Sequence, residues 1–203
     1  MAKEYTFINR DLSWLSFNHR VLLEAADTSV PLFSRIQFLS IFSSNLDEFF
    51  RVRMPSIYAF SSIKAKRTSL RDEYPVDLVQ TVIDYLQRQL EDFGRILTRQ
   101  ILPSLEENNI HLYYGDDIQP EHKDAVREYF LSRVLSFLQP IILKKDNQST
   151  VFLENNYLYF IVHLESSTEM GVPVYALLNI PSDQLSRFSE MKKIDDKSYI
   201  LFL

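Results

Sequence analysis

The sequence predicts an α+β chain: an antiparallel helical bundle over residues 1–105, then a mixed α/β domain over 106–203 whose strands are mainly antiparallel. Three observations lead there. Apolar residues recur at helical spacing from Leu12 to Ile101. Beyond about residue 110 the apolar runs become short, rich in Val, Ile, Tyr and Phe, and bounded by Asn, Gly, Pro or Ser, as strands are. The composition is that of a folded chain, 46% hydrophobic and 24% charged over 203 residues.

The first helix starts near Asn9 or Asp11, either of which can cap it, and runs to about Ala26. Leu12, Leu15, Leu22 and Ala26 form one stripe, and Trp14, Phe17 and Val21 a second, so this helix should be well buried. Ser29 and Pro31 signal the next start, after which Leu32, Ile36, Leu39 and Phe42 line one face. In FSSNLDEFFRVRM, residues 42–54, a third segment opens at Ser43–Asn45 and carries Leu46, Phe49 and Phe50; Pro55 should kink or end it. Residues 56–75 dilute the apolar pattern and read as a loop or a frayed helix. Val79, Val82, Leu86, Leu90, Phe93, Leu97 and Ile101 mark the clearest helix, 77–102, roughly 39 Å long at about 1.5 Å per residue, with Pro103 at its end.

The grammar then changes. Residues 110–122 read as a short strand and a turn, and Pro120 to Leu138 as a helix with Ala125, Tyr129, Val134 and Leu138 near one face. Strands are expected at VFLENN, YLYFIVHLE, VPVYALLNI and SYILFL, with SDQLSRFSEM a short helix between the last two. SYILFL stops in mid-run, which leads to the expectation that the chain is an N-terminal piece of a longer protein and its second domain incomplete.

Several chemistries are excluded. Gly94, Gly115 and Gly171 are scattered, so no glycine-rich loop cradles phosphate. There is no Cys, hence no disulfide, thiolate nucleophile or Cys-bound zinc. The N-terminus is too polar for a secretory signal, and no apolar run approaches the roughly 20 residues of a membrane span. The chain reads as soluble and cytoplasmic, with association at a membrane surface left open. Its net charge of −5 does not suit a nucleic-acid binder. His19, His111, His122 and His163 show no helical metal spacing, and His19 reads as a buried structural histidine. The carboxylate pairs Asp72–Glu73, Asp116–Asp117 and Asp195–Asp196 sit in turn-like contexts. Arg51, Arg53, Lys64, Lys66, Arg67 and Arg71 make a positive stretch that is either solvated or a polyanion site.

Residues 42–54 hold the sharpest signal. Ser44 or Asn45 can cap a helix, and Glu48 stands three residues after Asn45, as in a capping box. An Asn amide also offers a donor beside an acceptor, the pair that meets an adenine edge. The residues alone leave cap and ligand reader both open.

NRDLSWLSFNHRVLLEAADTSVPLFSRIQFLSIFSSNLDEFFRVRM resembles the N-terminal domain of polyphosphate kinase of the phosphohistidine type, with NRDLSWLSFN, VPLFSRIQFLSIFSSNLDEFF and VRM in order. Residues from about 105 onward resemble that family's head domain, mostly in architecture. The resemblance implies an enzyme that reversibly transfers the terminal phosphate of ATP to inorganic polyphosphate with Mg²⁺. Its phosphohistidine, second catalytic histidine and metal-binding residues would lie beyond Leu203. It therefore implies no catalytic residue here, and no catalytic role for any of the four histidines. It implies that Asn45 contacts the nucleotide base, that ATP and ADP, polyphosphate and further copies of the chain are partners, and that the isolated piece is inactive. The alternative is a non-catalytic helical dimerisation or docking module. A third reading, an adaptor that binds polyanions through Arg51 to Arg71, needs no nucleotide.

Overall fold

The computed structural model describes residues 8–62, 77–115, 117–143, 152–154, 157–164, 174–182 and 184–202. The chain divides into two compact units, Met1–Asn108 and Asn109–Leu203.

The first unit is helical. Helix α1, Arg10–Ala26, starts at Asn9, whose side-chain oxygen accepts from the Asp11 N–H at 2.9 Å and the Leu12 N–H at 3.2 Å. Of the two candidate caps, Asn9 therefore serves, satisfying two of the N–H groups a helix start leaves without partners. After a short turn helix α2 runs Leu32–Glu48, a π-helical turn covers Phe49–Arg53, and helix α3 follows at Met54–Ser62. Helix α4, Leu78–Ile96, likewise passes through a π turn, Leu97–Ile101, into helix α5, Leu102–Glu107. The short connection between α1 and α2 lets these two helices pack side by side, in the antiparallel arrangement that the sequence suggests.

Three boundaries differ from those expected. No new helix starts at Ser43–Asn45: Leu39, Phe42, Leu46 and Phe49 are all buried in one core, at spacings of three and four, and that stripe outweighs the capping tendency of the polar residues between them. Pro55 and Pro103 end nothing. Each is the second residue after a π turn, in which the N–H of Met54 reaches back five residues to the Phe49 carbonyl and that of Leu102 to the Leu97 carbonyl. A proline lacks an N–H and its ring collides with the carbonyl four residues earlier. The widened turn displaces that carbonyl, and the helix continues.

The core joins Leu15, Leu22 and Ala25 of α1 to Leu39, Phe42 and Leu46 of α2 and to Val82, Leu86 and Ile96 of α4. Trp14 stacks on Phe49 at 5.1 Å and Phe42 on Phe93 at 5.7 Å between centroids. Burying a side chain the size of Phe42 contributes about 1.5–3 kcal/mol. The second stripe of α1 is only partly covered, since Phe17 stays exposed while Trp14 and Val21 pack on the core. Arg35 is buried: its Nε donates to the Ala25 carbonyl at 2.8 Å and Nη2 to Gln100 Oε1 at 2.7 Å, placing a cation at the C-terminus of α1, where the helix dipole favours it.

The second unit holds helix α6, Pro120–Tyr129, continued by a π turn and a single 3₁₀ turn to Phe137, and two three-stranded sheets. In one, β6 (Lys197–Phe202) lies between parallel β1 (Ile110–Tyr113) and antiparallel β5 (Phe188–Ile194). In the other, β4 (Val174–Ile180) lies between β2 (Ile141–Leu143) and β3 (Leu158–Leu164), both antiparallel to it. Three of these four pairings are antiparallel, as expected. Residues 152–154 of VFLENN are not strand. The helix expected in SDQLSRFSEM is absent among its described residues, and Phe188 to Met191 belong to β5 instead. Strand β5 is held by the hairpin to β6, whose turn residues Asp195 and Asp196 have φ of 47° and 61°. Two successive residues at positive φ match the twist of paired strands, and Asp tolerates that conformation.

Candidate functional site around Asn45

Asn45 sits in the last turn of α2, so it is not an N-cap; it is half-buried and reaches toward α1. Its Nδ2 donates to Asn18 Oδ1 at 2.9 Å, and Asn18 Nδ2 donates to the Phe42 carbonyl at 3.2 Å. The order of this chain follows from its far end. A carbonyl can only accept, so the Asn18 amine faces Phe42 and the Asn18 oxygen faces Asn45. Asn45 must then present its own amine to Asn18, which turns its Oδ1 and second N–H away. No group among the described residues bonds that Oδ1. Phe38 and Ile41, seven and four residues earlier on α2, share the Asn45 face; both line a shallow hollow of about 370 Å³, and Ile41 is exposed. An amide edge beside apolar surface can meet a flat heterocycle with a polar rim.

On the other side of Asn45, a cleft of about 370 Å³ lies between the start of α1 and the π turn, lined by Arg10, Trp14, Glu48, Phe49 and Val52 with the pair Asp11–Arg53. Buried Asp11 accepts from Arg53 Nε at 2.8 Å, and Arg53 Nη2 lies 2.7 Å from the same oxygen. Arg51 bonds Glu48 and lies 3.6 Å from Asp47. The Glu48 hydrogen bond and charge, then the Asp47 charge, push the Arg51 guanidinium above its ordinary value. Both arginines of residues 42–54 are thus engaged with carboxylates of this unit. Lys64, Lys66, Arg67 and Arg71 lie outside the described residues.

The histidines do not converge. His19 is partly exposed rather than buried, with Nε2 at 3.2 Å from Asp92 Oδ2. His163 stacks on Tyr175, and His111 packs against Tyr113 and Tyr199. His122 is fully buried and bonded on both ring nitrogens, to Tyr113 and to the Lys192 carbonyl. Among the described residues no group of three or more His, Asp or Glu could hold a metal ion, so they offer no site of their own for Mg²⁺, whose ligands the resemblance places beyond Leu203. Among them, too, no helix is long and apolar enough to cross a membrane.

One member of the site escaped sequence reasoning. Asn18 is 0% exposed and lies on the buried stripe Asp11, Leu15, Asn18, Leu22, Ala25. The available signal was a polar residue at a core position of α1, at the spacing of Leu15 and Leu22.

Comparison with known proteins gives the family. The family described as polyphosphate kinase N-terminal domain matches residues 7–113, and that described as polyphosphate kinase middle domain matches 121–203. The polyphosphate kinase of Vibrio cholerae is 36% identical over 192 residues, 93% of this chain and 26% of that protein. That of Escherichia coli K12 is 33% identical over 188 residues, with the same shares. The crystal structure of polyphosphate kinase from Porphyromonas gingivalis superposes with a TM-score of 0.83 at 37% identity, covering 98% of this chain and 29% of that one. The chain spans about a quarter of the length of these relatives. With both of its units matched in order, the chain belongs to the polyphosphate kinase family.

Proposed function

We propose that this chain is the nucleotide-base-reading and subunit-contacting part of an enzyme that reversibly transfers the terminal phosphate of ATP to inorganic polyphosphate, and that Asn45 contacts the adenine. The observation that carries this is the Asn45 amide, whose Nδ2 is held by Asn18 and whose oxygen is left for a ligand, on the α2 face that by helical spacing also carries Phe38 and Ile41. An outward acceptor next to a donor matches the amino group and ring nitrogen of adenine. The reaction proceeds through a phosphohistidine on residues outside this chain, where Mg²⁺ is also held. Among the described residues no constellation for phosphoryl transfer assembles, and the chain alone is inactive. In the whole protein it works by positioning, the larger part of phosphoryl-transfer catalysis. The enzyme acts as a homo-oligomer in the cytoplasm, with ATP, ADP and polyphosphate as its ligands.

The test uses the full-length protein with Mg²⁺ and ATP labelled at its terminal phosphate. Labelled acid-stable polymer and labelled histidine are expected, and Asn45→Ala should raise KM for ATP about tenfold with kcat little changed, the effect of losing roughly 1.4 kcal/mol of binding. Polymer made equally well by the variant would remove Asn45 from the site. A folded protein that makes neither polymer nor phosphohistidine would overturn the kinase reading.

A second reading has its own observation. Phe50, Tyr58 and Leu90 are exposed around an apolar groove of about 470 Å³ between α3 and α4, which suits a helical docking module without catalysis. It would be favoured by a full-length protein that assembles normally but neither binds ATP nor forms polymer.

A further inference from the structure

We infer that Asn18, a buried residue of α1 that cannot itself reach a ligand, is a positioning residue: it fixes which way the Asn45 amide faces and so sets preference for adenine over guanine nucleotides. This rests on the adenine reading of Asn45. Three facts carry it. Asn18 is wholly buried, so its orientation is decided inside the protein. Its Nδ2 is committed to the Phe42 carbonyl, a group that only accepts. Its remaining oxygen therefore accepts from Asn45 Nδ2 and from nothing that would require the opposite order.

The consequence lies in the symmetry of an amide. Rotated by 180° about its last side-chain bond, an Asn exchanges donor and acceptor positions at almost no steric cost. An unrestrained Asn45 could therefore offer oxygen and amine in either order. On its Watson–Crick edge adenine presents the N6 amino donor beside the N1 acceptor; on the same edge guanine presents the O6 carbonyl acceptor beside the N1–H donor. For a base held in one pose by the rest of its site, one amide orientation suits adenine and the other suits guanine. Turning Asn45 over would aim its Oδ1 at Asn18 Oδ1, two acceptors face to face, the second of them fully buried. Leaving buried polar groups unpaired in this way is unfavourable enough to suppress the flipped state. The lock reaches the ligand through Asn45 alone, so Asn18 is no catalytic residue and should not alter the phosphoryl step.

The test measures KM and kcat of the full-length enzyme with ATP and with GTP. The variants are Asn18→Leu, Asn45→Ala, the double variant and Asn18→Asp, with the thermal midpoint of each. Leu has the branched shape and heavy-atom count of Asn, though it is bulkier, and removes both bonds while keeping the site filled; the thermal midpoint reads the cost of its extra bulk. Asn18→Leu should raise KM for ATP roughly fivefold, the loss of about one well-placed hydrogen bond. It should lower the ATP-over-GTP preference and leave kcat unchanged. In the Asn45→Ala background the same change should do nothing further to KM, because the residue it orients is gone. Asn18→Asp keeps an acceptor toward Asn45 and should rescue the nucleotide preference relative to Leu even where it lowers the thermal midpoint. Equal and additive effects of Asn18→Leu in both backgrounds would show a merely structural residue and overturn the inference. So would an unchanged nucleotide preference. If Asn45→Ala raises KM for ATP and Asn18→Leu does not, the positioning role falls while the adenine reading stands. If Asn45→Ala leaves KM unchanged, the adenine reading falls and this inference with it.

Discussion

The two units each contain a buried polar network, and the two networks differ in whether they close. In the second unit His122 Nε2 lies 2.7 Å from the Lys192 carbonyl and Nδ1 2.6 Å from the Tyr113 hydroxyl. The carbonyl accepts, so Nε2 carries the proton; Nδ1 then accepts from the Tyr113 O–H, and the Tyr113 oxygen accepts from the Gln119 N–H at 3.3 Å. Neither ring nitrogen nor the hydroxyl is left over. Burial pushes the Tyr113 phenol up, which keeps it the donor that His122 needs. In the first unit the chain Phe42–Asn18–Asn45 starts in the core and ends on a half-buried amide with its oxygen outward. A closed network can only hold structure together. An open one has a valence left for a ligand. That difference, rather than residue type, separates the silent histidine from the informative asparagine.

His122→Ala should break the comparison hardest. It removes a fully buried ring and leaves the Tyr113 hydroxyl and the Lys192 carbonyl without partners. A loss of about 2–4 kcal/mol is expected from cavity and unsatisfied groups together, read as a fall in the denaturant midpoint of the transition that involves the second unit. A loss below about 0.5 kcal/mol, the range of ordinary surface changes, would mean the network is not the closed structural unit described. Asn45→Ala should do the reverse. Its tenfold effect falls on KM for ATP, while stability falls by only about 1 kcal/mol, the cost of leaving the buried Asn18 Oδ1 without its donor. A variant that unfolds readily instead would place Asn45 with the structural residues.

Tyr113→Phe sharpens the same contrast at smaller scale. The ring stays, and with it the packing against Tyr199 at 5.7 Å. Only the hydroxyl goes, leaving Nδ1 of His122 and the Gln119 N–H short of one partner each. About 1–2 kcal/mol should be lost, less than for His122→Ala. An equal loss would locate the importance of the network in the hydroxyl rather than in the imidazole.

How much of this was legible in the sequence depends on what kind of order is asked for. The change from helix to strand near residue 110 was written in apolar periodicity, and Asn9 and Asp11 were visible as capping residues. The path of α2 was legible too, through Leu39, Phe42, Leu46 and Phe49, but the polar run Ser43–Asn45 masked it. Local capping tendency is about 1 kcal/mol per site, and a continuous buried stripe outweighs it. Pro55 and Pro103 misled for a different reason. Whether a proline stops a helix depends on the hydrogen-bond register of the preceding turn, and a π turn carries no compositional mark. Strand β5, FSEMKKI, was hidden by its charges; only pairing with β6 makes it a strand. At the site, Asn45 drew notice because amide and carboxylates cluster there. Asn18 did not, because its role exists only where α1 meets α2.

The smallest expected effect concerns a pair that belongs to neither network. Asp92 accepts from Arg95 at 2.6 Å and lies 3.2 Å from His19. The Arg95 hydrogen bond chiefly, with smaller help from His19, holds its carboxyl below the ordinary value of 3.8. A carboxyl depressed in the folded state binds its proton less readily there than in the unfolded chain. Its contribution is therefore complete above pH 3.8 and fades as pH falls through the lower folded value. Asp92 is about one-third exposed, so water screens most of the interaction, and Asp92→Asn should cost no more than about 0.5 kcal/mol near neutrality. The difference between variant and parent should vanish at the acid end, and denaturant midpoints taken across the acid range would show it. A cost that persists undiminished at the lowest pH would mean that Asp92 acts through packing and not through its charge.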